Sequence, residues 1–299
     1  MQEYHVPVLL SEAVDSLNIL PDGIYMDATF GAGGHSKPIL DKLNAKGHLY
    51  AFDQDDDAFA NANPMENFTL IHSNYRYIKR FMRLYKVDHV DGILADLGIS
   101  SHQIDVPERG FSFRFNSDLV MRMNQSMTMT AKDVLHQYSE DDLTGVLSDY
   151  GEVRNAKTLV KKIMETRKVK NINSTFDLNA ILSTCCMGPS QKYFAQVYQA
   201  LRIEVNDEMN ALIDFLQDAG SLLKPSARFA VITYHSLEDK LVKNLFKTGN
   251  VAGNPVKDEF GNITKIYELY NKNVIVPSAH EQKVNPRSRS AKLRVGIKL

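Results

Sequence analysis

The run DATFGAGGHS, Asp27 to Ser36, sets three glycines, Gly31, Gly33 and Gly34, directly behind an apolar segment that ends in an acid. Glycine reaches positive φ and puts no Cβ in the way of a ligand, so the run is a candidate for close approach of a bound group to the backbone. It is not the dinucleotide fingerprint, because G-x-G-x-x-G counted from Gly31 needs a glycine where Ser36 stands. It is not a Walker loop either, because His35-Ser36-Lys37 puts the hydroxyl before the lysine. A plain strand-to-helix turn explains the glycines alone equally well. Two more acids close apolar runs: Asp53 ends HLYAFD and Asp96 ends VDGILAD. Far downstream, YHSLEDK follows another apolar run and brings His235, Ser236 and Glu238 to the head of a helix, with Ser236 and Asp239 spaced as a capping box.

These residues meet if the apolar runs are strands of one sheet, since ligands of open α/β sheets sit beyond the carboxyl ends of the strands near the topological switch point. The spacing supports that. GIYMDATF, HLYAFD, FTLIH and VDGILADLG read as strands, and residues 35–45, 55–63 and 75–86 fill the gaps at lengths that suit βαβ crossovers. From about Ser101 the pattern turns loop-rich and then helical through the basic stretch near 160, which predicts an inserted helical domain. Phe194, Val197, Leu201, Val205, Leu212 and Leu216 predict one long amphipathic helix. ARFAVITY then supplies a fifth strand, AKLRVGIKL a last one, and ITKIYELY its antiparallel partner, for about seven strands in all. Phe111, Phe113 and Phe115 alternate with a period of two, the pattern of one buried face of an extended segment; stacking on a nucleobase is the alternative.

The chemistry follows from charge. Asp53 suits a ribose diol, since a carboxylate can accept from two hydroxyls at once, a use that a nicotinamide cofactor shares. A dinucleotide brings a pyrophosphate, whereas S-adenosylmethionine brings a sulfonium, an amino group and one carboxylate. Accumulated acids favour the second. Asp53, Asp55, Asp56 and Asp57 do not form a calcium loop, whose glycine and distal glutamate are missing, and Asp55 or Asp56 complements the start of the next helix. The 299 residues are 43% hydrophobic and 24% charged, with a formal net charge of −1, so disorder and a globally basic nucleic-acid binder are excluded. Basic residues concentrate in three patches: Arg76, Lys79, Arg80, Arg83 and Lys86; Arg154, Lys157, Lys161, Lys162, Arg167, Lys168 and Lys170; and Lys283, Arg287, Arg289, Lys292 and Arg294. One patch alone reads as a solvated face; three together point to a polyanion. Cys185 and Cys186 are adjacent and suit packing, not a disulfide or metal pair. No secretory or membrane-spanning signal is read, and a cytoplasmic location is expected.

Taken in order, HVPVLLSEAVDSL, DATFGAGGHS, DGILADLGISSHQID, ERGFSFR, QALRIEVNDE, YHSLEDKLVK and NPRSRSAKLRV resemble the bacterial 16S ribosomal RNA cytosine-N4 methyltransferase family, known as RsmH or MraW. The resemblance implies a Rossmann-like, doubly wound class I methyltransferase sheet over 1–105 and 191–299, interrupted by a helical substrate-recognition domain over 106–190. It implies S-adenosylmethionine as donor and a cytidine in the decoding region of the small ribosomal subunit as acceptor. Carried over position by position, its cofactor contacts fall on Gly33, Gly34, His35, Asp53, Tyr75, Asp96 and Gln103, with Tyr75 standing where phenylalanine is common. Methyl transfer of this kind needs no metal. Asp96 and nearby backbone carbonyls are the candidate acceptors for the amine N–H, with His235 and Ser236 as further catalytic candidates; Asp96-Leu97-Gly98-Ile99 lacks the proline and aromatic of the [DNS]-P-P-[YFW] motif. Oligomeric state is left open, a homodimer included. The rival readings are a non-catalytic RNA-binding factor on the same fold and a dinucleotide-dependent oxidoreductase.

Overall fold

The computed structural model describes residues 7–60, 65–255, 257, 259–261, 263 and 265–299. The reading of the first residues and the end of the helix expected over 55–63 therefore lie partly outside the described residues. The chain divides into two compact units, Met1–Gly98 with Met209–Leu299, and Ile99–Glu208.

In chain order the first unit begins with α1 (Leu10–Ser16), β1 (Ile24–Asp27), α2 (Ser36–Leu40), β2 (His48–Asp53), α3 (Asp56–Phe59), β3 (Phe68–His72), α4 (Ile78–Leu84) and β4 (Val90–Asp96). The second unit follows with α5 (Ser101–Asp105), α6 (Ala131–Gln137), α7 (Glu140–Gly145), α8 (Ala156–Arg167), α9 (Thr175–Cys185) and α10 (Ser190–Asn206). After α11 (Glu208–Leu222), the first unit resumes with β5 (Leu223–Thr233), α12 (Ser236–Thr248), β6 (Tyr267–Leu269), α13 (Ala279–Val284) and β7 (Lys292–Lys298).

The seven strands form one sheet in the order β3-β2-β1-β4-β5-β7-β6. β1 to β5 are parallel, and β7 runs antiparallel between β5 and β6. All seven expected strands are present. Strand alternation sends successive side chains to opposite faces. Ile93, Ala95, Phe229 and Val231 pack with Ile78 and Met82 of α4, Phe215 and Leu216 of α11 and Val242 and Phe246 of α12. Leu94, Ala230 and Ile232 pack on the other face with Val14 of α1 and Ile39 of α2. The fold is thus a doubly wound α/β sheet covered on both sides.

Three expectations change. The single long helix is two: Asp207, at φ 49° and ψ 40°, ends α10 in the left-handed region, where a short polar side chain is better tolerated than most. The second unit also extends beyond 106–190 in both directions. Ile99 packs against its core, and Tyr193, Val197, Leu201 and Val205 of α10 are part of it, alongside Leu135, Leu159, Val160 and Leu182. Phe111 lies in this core and Phe113 packs edge-on to Phe194 and Tyr198, at ring separations of 5.8 and 5.5 Å. Phe115, at 40% exposure, leaves the face that the period of two had assigned it. Cys185 and Cys186 are unbridged and lie against the same core.

Candidate active site

Sheet order puts the switch point between β1 and β4, and three carboxylates stand around it. Asp27 pairs with Ala51 of β2 and Leu94 of β4, so Asp53 and Asp96 each lie two residues further along their strands and flank it, about 7 Å beyond it along the sheet. The chain leaving β1 bridges both neighbours. The Ala28 amide donates to Leu94 O at 2.8 Å, and the Phe30 amide to Phe52 O at 2.8 Å. Thr29 Oγ1 accepts from the Asp96 amide at 2.7 Å, and the Gly31 amide donates to Asp53 Oδ2 at 2.7 Å.

The three acids do different work. Asp27 is 1% exposed; Ser36 Oγ donates to it at 2.6 Å and the Thr29 amide at 3.1 Å, which ties the two ends of the glycine turn together. Its carboxyl is pushed up by burial. Asp53 is partly exposed; its Oδ1 accepts from the Asp55 amide at 2.9 Å, and each oxygen keeps a lone pair for a ligand. Burial pushes it up to about 6, against the two backbone donors that lower it. Asp96, with 23% of its side chain exposed, is likewise pushed up to about 6 by burial. His35 and the Tyr234 hydroxyl oppose that shift, while Asp27 and Glu238 add to it.

Gly31, at φ +55°, has open space where a Cβ would stand. Gly33 and Gly34 do not: a Cβ at 34 would meet Pro7 at 2.3 Å, and one at 33 the Phe30 ring at 3.0 Å. Their small size serves the protein's own packing, and Gly31 is where the turn admits a ligand. His35 is buried, its Nε2 3.0 Å from Val8 O and its Nδ1 3.7 Å from Asp96 Oδ2. A carbonyl only accepts, so Nε2 carries the proton. Tyr75 opens the turn after β3 with its ring 5.0 Å from that of Phe215, and the Ser73 amide donates to Asp53 O at 2.8 Å.

His235, not Ser236, is the N-cap of α12. Its Nδ1 accepts from the Glu238 amide at 3.5 Å, and Glu238 Oε2 accepts from the Tyr234 and His235 amides at 2.8 and 3.3 Å. The capping box is therefore His235 with Glu238, one residue earlier than Ser236 with Asp239. Asp239 instead pairs with Arg294 at 2.7 Å and Lys292 at 3.2 Å. Ser236 is exposed in the first turn. Gln103 belongs to the second unit, where it is buried and its amide oxygen accepts from the Ser100 amide at 3.0 Å in the capping box of α5. Tyr234, which motif reading passed over, donates its hydroxyl to Asp96 Oδ1 at 2.7 Å. Its position directly after an apolar strand, on the strand that pairs with the one carrying Asp96, was the signal.

The family model described as the MraW methylase family matches residues 2–299. The chain belongs to the MraW methylase family. It is 52% identical over 298 residues to the ribosomal RNA small subunit methyltransferase H of Flavobacterium johnsoniae, covering 99% of this chain and 98% of that protein. The protein of the same name from Phocaeicola vulgatus is also 52% identical, with the same coverage. A solved rRNA methylase from Streptococcus thermophilus is a remote likeness, at TM-score 0.43 and 12% identity over 99% of both chains.

The basic patches are partly neutralised. Arg76 pairs with Asp214 at 2.7 Å and Lys79 with Asp218 at 3.6 Å, Lys170 with Asp177 at 2.6 Å, and Lys292 and Arg294 with Asp239. Among the described residues Arg80, Arg83, Lys86, Lys157, Lys161 and Lys168 have no carboxylate partner.

Proposed function

We propose that this member of the MraW family transfers a methyl group from S-adenosylmethionine to the N4 amine of a cytidine in the decoding region of small-subunit ribosomal RNA. The observation that carries the cofactor assignment is the set of carboxylates at the ends of β1, β2 and β4 around the open Gly31 turn. Asp53 and Asp96 stand in surroundings where each carboxylate is costly, and a cationic sulfur and ammonium relieve that cost where a pyrophosphate would add to it. Asp53, with a lone pair free on each oxygen, fits the paired hydroxyls of a ribose. Gly33, Gly34, His35, Tyr75 and Asp96 complete the proposed contacts. The donor, when bound, supplies a methyl group on a positively charged sulfur.

The chain's task is then to present the amine. A cytosine amine is a poor nucleophile because its lone pair is delocalised into the ring, and an acceptor on its N–H helps localise that pair. Asp96 is the proposed acceptor, ionised at neutral pH and more basic than an exposed aspartate. His235 and Ser236 open α12 at the carboxyl end of β5 and frame the acceptor side, His235 through its cap and Ser236 through its exposed hydroxyl. Residues 99–208 are proposed as the substrate-recognition unit, and the setting as the cytoplasmic small subunit. No helix among the described residues is long and apolar enough to cross a membrane.

Calorimetry with S-adenosylhomocysteine and NADH, followed by labelled-methyl transfer to small subunits and mass spectrometry of the RNA, tests this reading. Binding of the first alone and label on one cytosine N4 support it. Binding without transfer would make the protein an assembly factor, and NADH binding an oxidoreductase.

A further inference from the structure

We propose that Tyr234 is the positioning residue of Asp96: by holding one carboxylate oxygen, its hydroxyl fixes the carboxylate plane and leaves the other oxygen as the acceptor for the substrate amine. This rests on the reading above, in which Asp96 receives that amine. Oδ1 accepts from Tyr234 at 2.7 Å, while Oδ2 faces His35 Nδ1 at 3.7 Å, beyond hydrogen-bond reach. His35 Nε2 is engaged with Val8 O at 3.0 Å, and at 3.7 Å the other ring nitrogen makes no hydrogen bond to Oδ2. Oδ2 therefore keeps its accepting capacity.

Tyr234 is itself fixed at both ends. Its amide donates to Glu238 Oε2 at 2.8 Å, and Glu238 is 4% exposed inside the cap of α12. Its ring packs against the face of the sheet that carries Leu94, Ala230 and Ile232. Burial and the adjacent Asp96 push the phenol well above its usual range, so it stays protonated and can only donate to the carboxylate. Four titratable groups act on Asp96: His35 at the head of α2, Asp27 at the end of β1, Glu238 in α12 and Tyr234 after β5. Tyr234 is the one whose hydrogen bond can be deleted without changing a charge.

The test uses the full chain, wild type and Tyr234→Phe, labelled with ¹³C in the aspartate carboxyls, the Asp96 signal being assigned with Asp96→Asn. In Tyr234→Phe the Asp96 midpoint is expected to rise by at least half a unit, because a hydrogen bond to the charged form is lost. Affinity for S-adenosylhomocysteine at pH 8 should change less than about threefold, while kcat on small subunits falls about tenfold or more and its acid limb moves with the NMR midpoint. An unmoved midpoint, or kcat and cofactor affinity falling together with no shift of the limb, overturns the proposal in favour of a structural tyrosine. If the midpoint moves but wild-type protein transfers no methyl group, the functional reading is what fails, and the positioning role falls with it.

Discussion

Asp53 spends both carboxylate oxygens on the backbone amides of Gly31 and Asp55 and still offers each a second lone pair. Asp53→Ala should therefore raise the dissociation constant for S-adenosylhomocysteine at least about 100-fold, through the loss of two ribose partners at roughly 1.5 kcal/mol or more each. An unchanged value by calorimetry would place the ribose elsewhere. The pH dependence has a definite sign. Asp53 and Asp96 both sit at about 6 in the fold, so cofactor binding that needs their charged forms is complete above about pH 7 and weakens as pH falls through 6. The slope is about tenfold per pH unit for one required carboxylate and steeper for two. Stability of the free protein runs the other way. A carboxyl raised in the folded state contributes stability that is full below its unfolded value near 4 and lost as pH rises through about 6. Asp96→Asn should thus reduce the gain in melting temperature between pH 7.5 and pH 5. At this scale the sequence revealed the strand-end acids, because each closes an apolar run. It did not reveal which glycine is open, since that depends on where Pro7 and Phe30 pack, or that Tyr234 reaches Asp96 across two paired strands.

α12 shows how one element carries two duties. Glu238 caps its N-terminus and anchors the Tyr234 amide, so Glu238→Ala removes a buried acceptor from two amides and should cost about 1–3 kcal/mol in urea unfolding. Glu238→Gln keeps one acceptor oxygen and should cost less, whereas Asp239→Ala should act through Arg294 and leave the cap intact. The strands were legible because their apolar runs are short, bounded and rich in β-branched and aromatic residues. Helix breaks were less so. The apolar spacing from Phe194 to Leu216 carries on through Asp207, and only the Asn206-Asp207 pair hints at the left-handed turn. There Asn206 Oδ1 accepts from the Met123 amide at 2.7 Å, and Arg202 and Glu208 pair at 2.8 Å across the break. The capping box was misplaced by one residue because histidine is not among the usual caps, and its imidazole nitrogen here does what a serine oxygen would do.

For the molecule as a whole, the limits of the second unit decide how it can be dissected. Deleting 106–190 would leave α10 without its core and expose Tyr193, Val197 and Leu201, so that variant should aggregate. Replacing 99–208 by a short linker should give a soluble protein that binds S-adenosylhomocysteine and methylates nothing. Equal solubility of the two would refute the division. Charge makes a second prediction. With a net charge of −1 and several patch residues already paired, naked RNA should be gripped weakly, and assembled small subunits should be methylated far faster than protein-free 16S RNA or an isolated stem-loop. Arg80→Glu with Arg83→Glu should weaken particle binding about tenfold in low salt and less in high salt, while Arg76→Ala should loosen the contact of its turn with α11. Equal initial rates on particle and stem-loop would show that the base pocket suffices. The antiparallel seat of β7 has a consequence for synthesis. β5 meets β7 with Thr233 opposite Lys292, 59 residues further along the chain, so all of that segment must be polymerised before even the first pair on that side of β5 can form. At about 5–20 residues per second the nascent sheet spends several seconds with a bare row of amides and carbonyls along β5, whose last five residues are all buried once the fold is complete. During that interval a chaperone, or a second nascent chain on the same message, competes with the protein's own tail for the gap.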